Sequence, residues 1–285
     1  MGEASSVPVA GVAMTAIGVA VIRAKESERP DRLYDDPFAA AFVAAARPGF
    51  DAERWQQFRT LAERFQEGRS VAVRLADDRV REAVDSGIRQ LVLLGAGLDT
   101  RAFRLELPPD TTVFEIDLPE TFAFKEPVLG DAVPRCGRAV IAADLRENWA
   151  EPLRAHGFRP DRPTGWIDEG TLGYLPADDT RSIVGTLTEL SAPGSRFAVN
   201  RVASDTASTD RYRELHELVA AGDPDRGAGP ESEIEFLLRD LGWDTEFQSW
   251  NEAVTALGRT AALAGPEVGT IAAVRSARPG ARIVG

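Results

Sequence analysis

The sequence predicts an α/β fold: a doubly wound, seven-stranded, mostly parallel sheet. Three observations carry this. From residue 90 to 200 short apolar runs alternate with helical patterns, as parallel strands joined by crossover helices do. The runs are apolar at successive positions, not at every second one, as in strands buried on both faces. The first run, Gln90-Leu-Val-Leu-Leu-Gly95, ends in glycine, and the ligand crevice of an open parallel sheet lies at such carboxyl ends.

Taken in order, the first 85 residues are mostly helical by pattern, with breaks at Pro30, Pro37 and Pro48-Gly49. Residues 7–22 are the most apolar N-terminal stretch and predict a helix packed on the body, while 69–86 sets Val71, Leu75, Val80 and Val84 at helical spacing. Strands follow at 90–95, 112–117, 139–144, 164–169 and 196–200, with helices over about 119–130, 147–156 and 178–191. The segment 203–230 is rich in Ala, Asp, Gly and Ser and reads as a lid or insertion, with a short helix near 210–220. A helix over about 231–240 precedes two closing strands, 244–250 and 269–275, which pair as an antiparallel unit. The expected plan is one domain over 1–285: a helical N-terminal cap (1–85), a sheet core (86–202 and 231–285) and a lid insertion (203–230).

Composition narrows the function classes. Hydrophobic residues make up 44% and charged residues 27%, an ordinary globular balance. The 33 basic and 45 acidic side chains leave a net charge of −12, which argues against a dedicated nucleic-acid partner. Cys136 is the one cysteine, and His156 and His216 are the two histidines. An intrachain disulfide and a Cys- or His-rich metal site are thereby excluded. No apolar run reaches the length of about 18 residues that spans a membrane. No Lys or Arg precedes the stretch at 7–22, so it does not read as a signal peptide, and a cytoplasmic location is expected.

Four motifs carry candidate chemistry. The first is Gly95-Ala96-Gly97-Leu-Asp99-Thr100, where glycines allow a tight turn and close approach of backbone to a ligand. Asp117, ending the second strand, is placed to accept hydrogen bonds from both hydroxyls of a ribose. The position three past Gly97 is Thr100, not the third small residue of the dinucleotide fingerprint. A nucleotide without a pyrophosphate fits better than NAD. The second is Asp144-Leu145, with an acid for an adenine amine and an apolar side chain for the ring face, or else a helix N-cap. The third is Asp168-Glu169 before Gly170-Thr-Leu172-Gly-Tyr174. Adjacent acids point in different directions, so at most one of the two faces a ligand, the alternative for each being solvation or capping of the next helix. The fourth is the helix with Arg69, Arg74, Asp77 and Asp78, a carboxylate clamp or a solvated face with local ion pairs.

These residues resemble the leucine carboxyl methyltransferase-like family of class I S-adenosylmethionine-dependent methyltransferases, in its bacterial small-molecule branch. The matching stretches are Tyr34-Asp-Asp-Pro37-Phe38, Arg74-Leu-Ala-Asp77-Asp78, Leu93-Leu-Gly95-Ala-Gly97-Leu-Asp99-Thr100-Arg101, Phe114-Glu-Ile-Asp117-Leu118, Asp144-Leu145-Arg146 and Glu169-Gly-Thr-Leu172-Gly-Tyr174. Coverage runs from about residue 15 to 275. The resemblance implies S-adenosyl-L-methionine over the strand ends. Gly95, Ala96 and Gly97 would lie under its methionine part, Asp117 would bind the ribose, Asp144 and Leu145 would hold the adenine, and Leu118 would also contact the cofactor. Glu169 would sit near the methionine amine or the methyl face, and an arginine, best Arg74, would bind the carboxylate. Relatives of this branch usually carry a further arginine where this chain has Ala72, so Arg69 is the alternative. They also carry a small residue where this chain has Asp168, an extra acid expected beside the methyl face.

The implied activity is O-methylation of a carboxylate or hydroxyl on a small molecule or peptide, in specialised metabolism, with Glu169 and Tyr174 as the candidate catalytic residues. A carboxylate acceptor is ionised at neutral pH and needs no base, whereas a phenol, with a pKa near ~10, benefits from one. His216, within the expected lid, is the base candidate. The acceptor pocket is expected beside Glu169, Leu172 and Tyr174, covered by the cap near Tyr34 and by 203–230. The competing classes are an NAD-type oxidoreductase on a similar sheet and a non-catalytic S-adenosylmethionine-binding module.

Overall fold

A computed structural model describes residues 7, 11–201, 233–259 and 268–276. Among the described residues four α-helices precede the sheet: α1 (Gly11–Ser27), α2 (Ala39–Ala46), α3 (Ala52–Arg64) and α4 (Gln66–Asp85). The strands are β1 (Gln90–Leu94), β2 (Thr112–Asp117), β3 (Gly137–Ala142), β4 (Thr164–Asp168), β5 (Arg196–Arg201), β6 (Trp243–Ser249) and β7 (Gly269–Arg275). The sheet order is β3-β2-β1-β4-β5-β7-β6. Strands β1 to β5 pair in parallel, and β7 lies antiparallel to both β5 and β6. The seven-stranded, mostly parallel architecture is therefore the one the apolar runs predict.

Strand β1 shows why those runs are unbroken. Leu91 and Leu93 enter a core shared with α1, α3 and α4, while Val92 and Leu94 enter a second core on the opposite face. Successive side chains of a strand point to opposite faces, so a strand covered on both sides must be apolar throughout. The first face is completed by α5 (Arg101–Arg104) and α6 (Pro119–Leu129). The second is covered by α7 (Ala150–Ala155), α8 (Ala177–Glu189) and α9 (Ile234–Asp240). The apolar N-terminal stretch becomes α1, whose Met14, Ile17, Val21 and Ile22 are buried in the first core.

Some elements depart from expectation. Strand β3 starts and ends two residues early, which puts Asp144 in a turn beyond the strand rather than at its end. The link between the last two strands holds a helix, α10 (Trp250–Ala256), where only a connection was expected. Ser249 caps it, and Trp250, Ala253 and Val254 bury against Val71, Ala72 and Leu75 of α4. The expected lid, 203–230, and His216 within it lie outside the described residues. No helix among the described residues is long and apolar enough to cross a membrane.

Candidate active site

Strand order reverses between β1 and β4, since the chain moves outward through β2 and β3 and then returns to the other side of β1. Such a switch point opens a crevice at the carboxyl ends of the strands. A cavity of about 1260 Å³, counting its mouth to solvent, occupies that place. Its floor is the turn after β1, its sides come from the ends of β2, β3 and β4, and its roof is α1 through Ala13, Ala16, Val19 and Arg23.

The floor needs glycine. Gly95 and Gly97 have φ of +61° and +49°, a region L side chains rarely adopt. A Cβ on Gly95 would stand 1.9 Å from Thr171 Oγ1, and one on Gly97 would stand 3.1 Å from the Ala16 Cβ in the roof. The amide of Ala96 donates to the Ile116 carbonyl at 2.9 Å, which ties the turn to β2. The next amide, Gly97 N, donates to Asp117 Oδ2 at 2.6 Å. Asp117 Oδ1 accepts from Leu118 N at 2.7 Å and Thr121 Oγ1 at 2.8 Å. Burial pushes the Asp117 carboxyl above its ordinary pKa, and these donors oppose the rise. Oδ2, with one donor, keeps a free lone pair for a ligand hydroxyl, while Oδ1 already accepts two bonds. Leu118 lines the cavity beside it, one residue before Pro119 opens α6.

Asp144 and Leu145 line the next wall. Asp144 is paired with Arg146, NH2 to Oδ2 at 2.6 Å, and accepts the Arg146 amide at 2.9 Å. Leu145 faces the cavity while its body joins the second core.

Glu169, just past β4, is held from both sides. Its carbonyl accepts Arg69 NH1 at 2.6 Å, and its carboxylate meets Arg101 NH1 in a close ion pair. Arg101 is fully buried and also binds Asp77 through Nε at 2.7 Å and Asp99 through NH1. Arg104 closes the cluster on Asp77 at 2.6 and 2.7 Å. Burial opposes the Arg101 charge, but the carboxylates of Asp99, Glu169 and Asp77 outweigh it and hold the guanidinium protonated. Arg101 carries no role in the sequence reading, where its only local mark is its place two residues after Asp99. Tyr174, in the single turn Leu172–Tyr174, lines the cavity near Glu169.

Three expectations need correction. Arg74 does not reach the cavity: its Nε binds Asp78 at 2.9 and 3.0 Å, and its NH1 donates to the Leu33 carbonyl at 3.1 Å. Arg69 and Val73, four residues apart on one face of α4, are the residues that line it. Five residues of helix turn the chain by about 140° beyond one full turn, so Arg69 and Arg74 cannot share a face. Asp168 does not lie beside the acceptor space. It is 2% exposed, and its carboxylate accepts the amides of Gly170, Thr171 and Leu172 at 3.1, 3.0 and 3.2 Å. It shapes the turn that presents Glu169. Tyr34 does not cover the cavity either; it is buried beneath the Arg104 guanidinium, 5.6 Å from its ring centre. His156 Nδ1 donates to the Pro152 carbonyl at 2.7 Å, at the exposed end of α7 and away from the cavity lining.

Comparison with known proteins bears on the family and the fold. A "Putative S-adenosyl-L-methionine-dependent methyltransferase" of Parafrankia sp. is 43% identical over 240 residues, covering 82% of this chain and 77% of that protein. One of Streptomyces coelicolor with the same description is 39% identical over 274 residues, covering 90% and 92%. Among solved structures, a DUF574 family protein from Streptomyces avermitilis superposes with a TM-score of 0.62 at 17% identity, over 95% of this chain and 100% of that one. That likeness shows a shared fold. The sequence model of the leucine carboxyl methyltransferase family matches residues 16–188, from the roof helix through the cavity walls to α8. With that match over more than half of its length, this chain belongs to the leucine carboxyl methyltransferase family.

Proposed function

We propose that this protein is an S-adenosylmethionine-dependent O-methyltransferase acting on a carboxylate of a small molecule or peptide. The observation that carries the reading is the polarity of one cavity. Asp117 stands on the β2 side, and Arg69 with the Arg101–Glu169 pair stands across the glycine turn from it. The residues present fit S-adenosylmethionine. Asp117 would take the ribose hydroxyls, Asp144 with Leu118 and Leu145 the adenine, and the bare backbone at Gly95 and Gly97 the thioether chain. Arg69 would take the methionine carboxylate and Glu169 the amine. When bound, the cofactor supplies a methyl group already activated on a sulfonium.

The protein's own work is then alignment and exclusion of water. The turn capped by Asp168 holds Glu169 and Tyr174 at one edge, and α1 closes the opposite side. Glu169 is held by Arg101 and so serves as a fixed anionic contact rather than a mobile base. The walls thus offer guanidinium groups and an already engaged carboxylate, which suits an acceptor ionised on arrival. A hydroxyl acceptor is the second reading, favoured by the Tyr174 phenol on the rim as an orienting group. The test is methyl transfer from labelled S-adenosylmethionine to a metabolite and peptide extract. Label released as methanol by mild base supports a carboxylate, and base-stable label supports a hydroxyl. Tight cofactor binding with no acceptor labelled supports a non-catalytic module. Failure to bind the cofactor overturns the reading.

A further inference from the structure

Outside the cavity, one buried charge touches both helices that wall it. Helix α10 ends at Gly258, with φ +72°. Gly258 N donates to Thr255 O at 3.0 Å and Arg259 N to Val254 O at 2.9 Å, the paired bonds of a Schellman ending. That reversal sends Arg259 inward, leaving its side chain 6% exposed. Its NH2 donates to Glu26 Oε1 at 2.6 Å, near the end of α1, and to the Asp31 carbonyl at 2.9 Å. Its NH1 donates to Glu67 Oε2 at 3.3 Å, in the first turn of α4.

Glu26 depends on this contact. Its carboxylate is fully buried, and Oε1 also accepts Leu33 N at 2.7 Å. Among the described residues Oε2 has no hydrogen-bond donor, and the nearest other cation, Arg29 Nε, stands 3.9 Å away. Both acids sit next to cavity residues: Arg23 is one turn before Glu26 on α1, and Arg69 is two residues after Glu67 on α4. Apolar packing of Trp250, Ala253 and Val254 already anchors α10 to α4. The Arg259 guanidinium carries that anchorage on to α1.

We propose that Arg259 is a positioning residue: from the end of α10 it fixes the roof helix α1 against α4 and so sets the spacing of the cavity walls. Without it Glu26 is a buried carboxylate with no full counter-charge, a state that is strongly unfavourable. Apart from that charge, the end of α1 loses the guanidinium that ties it to α10 and to Glu67 of α4, so Arg23 and Ala16 move with the helix even where Glu26 is made neutral. The inference rests on the reading of the cavity as the S-adenosylmethionine site.

The experiment begins with the unaltered protein, because absence of S-adenosylmethionine binding by calorimetry overturns that reading rather than this inference. Arg259→Met is then expected to weaken cofactor affinity at least tenfold and to speed cofactor release, followed by stopped-flow fluorescence, by a comparable factor. Arg259→Lys recovers part of both, since an ammonium still reaches one of the acids. The decisive variant is Arg259→Met with Glu26→Gln, which removes the orphaned charge and is expected to regain most of the lost Tm while affinity stays low. It carries the test even where the single variant fails to fold. Recovery of affinity together with Tm in the double variant overturns the proposal, leaving Arg259 a purely structural ion pair. Native affinity and release in Arg259→Met overturn it as well.

Discussion

Replacing Asp168 by asparagine should flatten the pH dependence of stability between about pH 4 and 7. Burial pushes this carboxyl up to about 7, against the amides of Leu172, Gly170 and Thr171 that pull it down. In the unfolded chain an aspartate titrates near ~3.9. Below about pH 4 the group is protonated in both states, and its contribution to stability is fully present. As pH rises toward 7 the unfolded chain releases the proton and the folded protein keeps it, so stability falls; above about 7 the slope vanishes. The gap of roughly 3 units at 1.36 kcal/mol each makes about 4 kcal/mol over the whole range. The acidic protein, with a pI near 4.8, loses solubility at the low end, so urea denaturation is best run from about pH 5.5 to 8.5. Over that window the native protein should lose about 2 kcal/mol relative to Asp168→Asn. The variant also gives up one amide bond, since its NH2 faces either Gly170 N or the Thr171–Leu172 pair. That loss is the same at every pH and shifts the curves without changing the slope of their difference. Two parallel curves would refute the reasoning and mean that the amide donors, not burial, govern this group.

Gly95→Ala should destabilise by more than about 2 kcal/mol, because φ is +61° and the new methyl meets Thr171 Oγ1 at 1.9 Å; an unchanged denaturation midpoint would show that the turn yields. Asp117→Ala should weaken S-adenosylmethionine binding by about 1.5–3 kcal/mol, the range for a lost charged hydrogen bond, and unchanged calorimetric affinity in a folded variant would remove it from the ribose site. Arg69→Ala should cost at least tenfold in cofactor affinity while Arg74→Ala changes it less than about twofold, since only Arg69 lines the cavity; the reverse ranking would return the role to Arg74.

Much of the fold was legible because its signals are local. A strand buried on both faces is apolar along its run, as β1 shows over Leu91–Leu94, while β2 breaks its run with Glu115, buried against Lys125 and Arg138. Glycines at Gly95 and Gly97 and the acid at Asp117 follow from the turn and the strand end, and the structure joins them through the bond from Gly97 N to Asp117. Helix α10 was missed because it has only seven residues and its first, Trp250, reads equally as the end of the strand before it. The shift of β3 moved Asp144 off the strand, as the edge position of β3 leaves its ends less constrained by neighbours.

Sequence by itself determined the residue types that can build this site: the alternating architecture, the glycine turn, the acids at the strand ends and an arginine-bearing helix before the sheet. Only the tertiary structure decided which member of each pair faces the cavity. Arg69 rather than Arg74 does so because the apolar stripe of α4 fixes the rotation of that helix against the sheet. Glu169 rather than Asp168 does so because Asp168 is drawn under the turn by three amides. Arg101 became central because Asp77, Asp99 and Glu169 converge on it from three separate segments. A buried charge is stable only with its partners in place, and for Arg101 those partners lie as far as 68 residues away in sequence. No local pattern records that convergence.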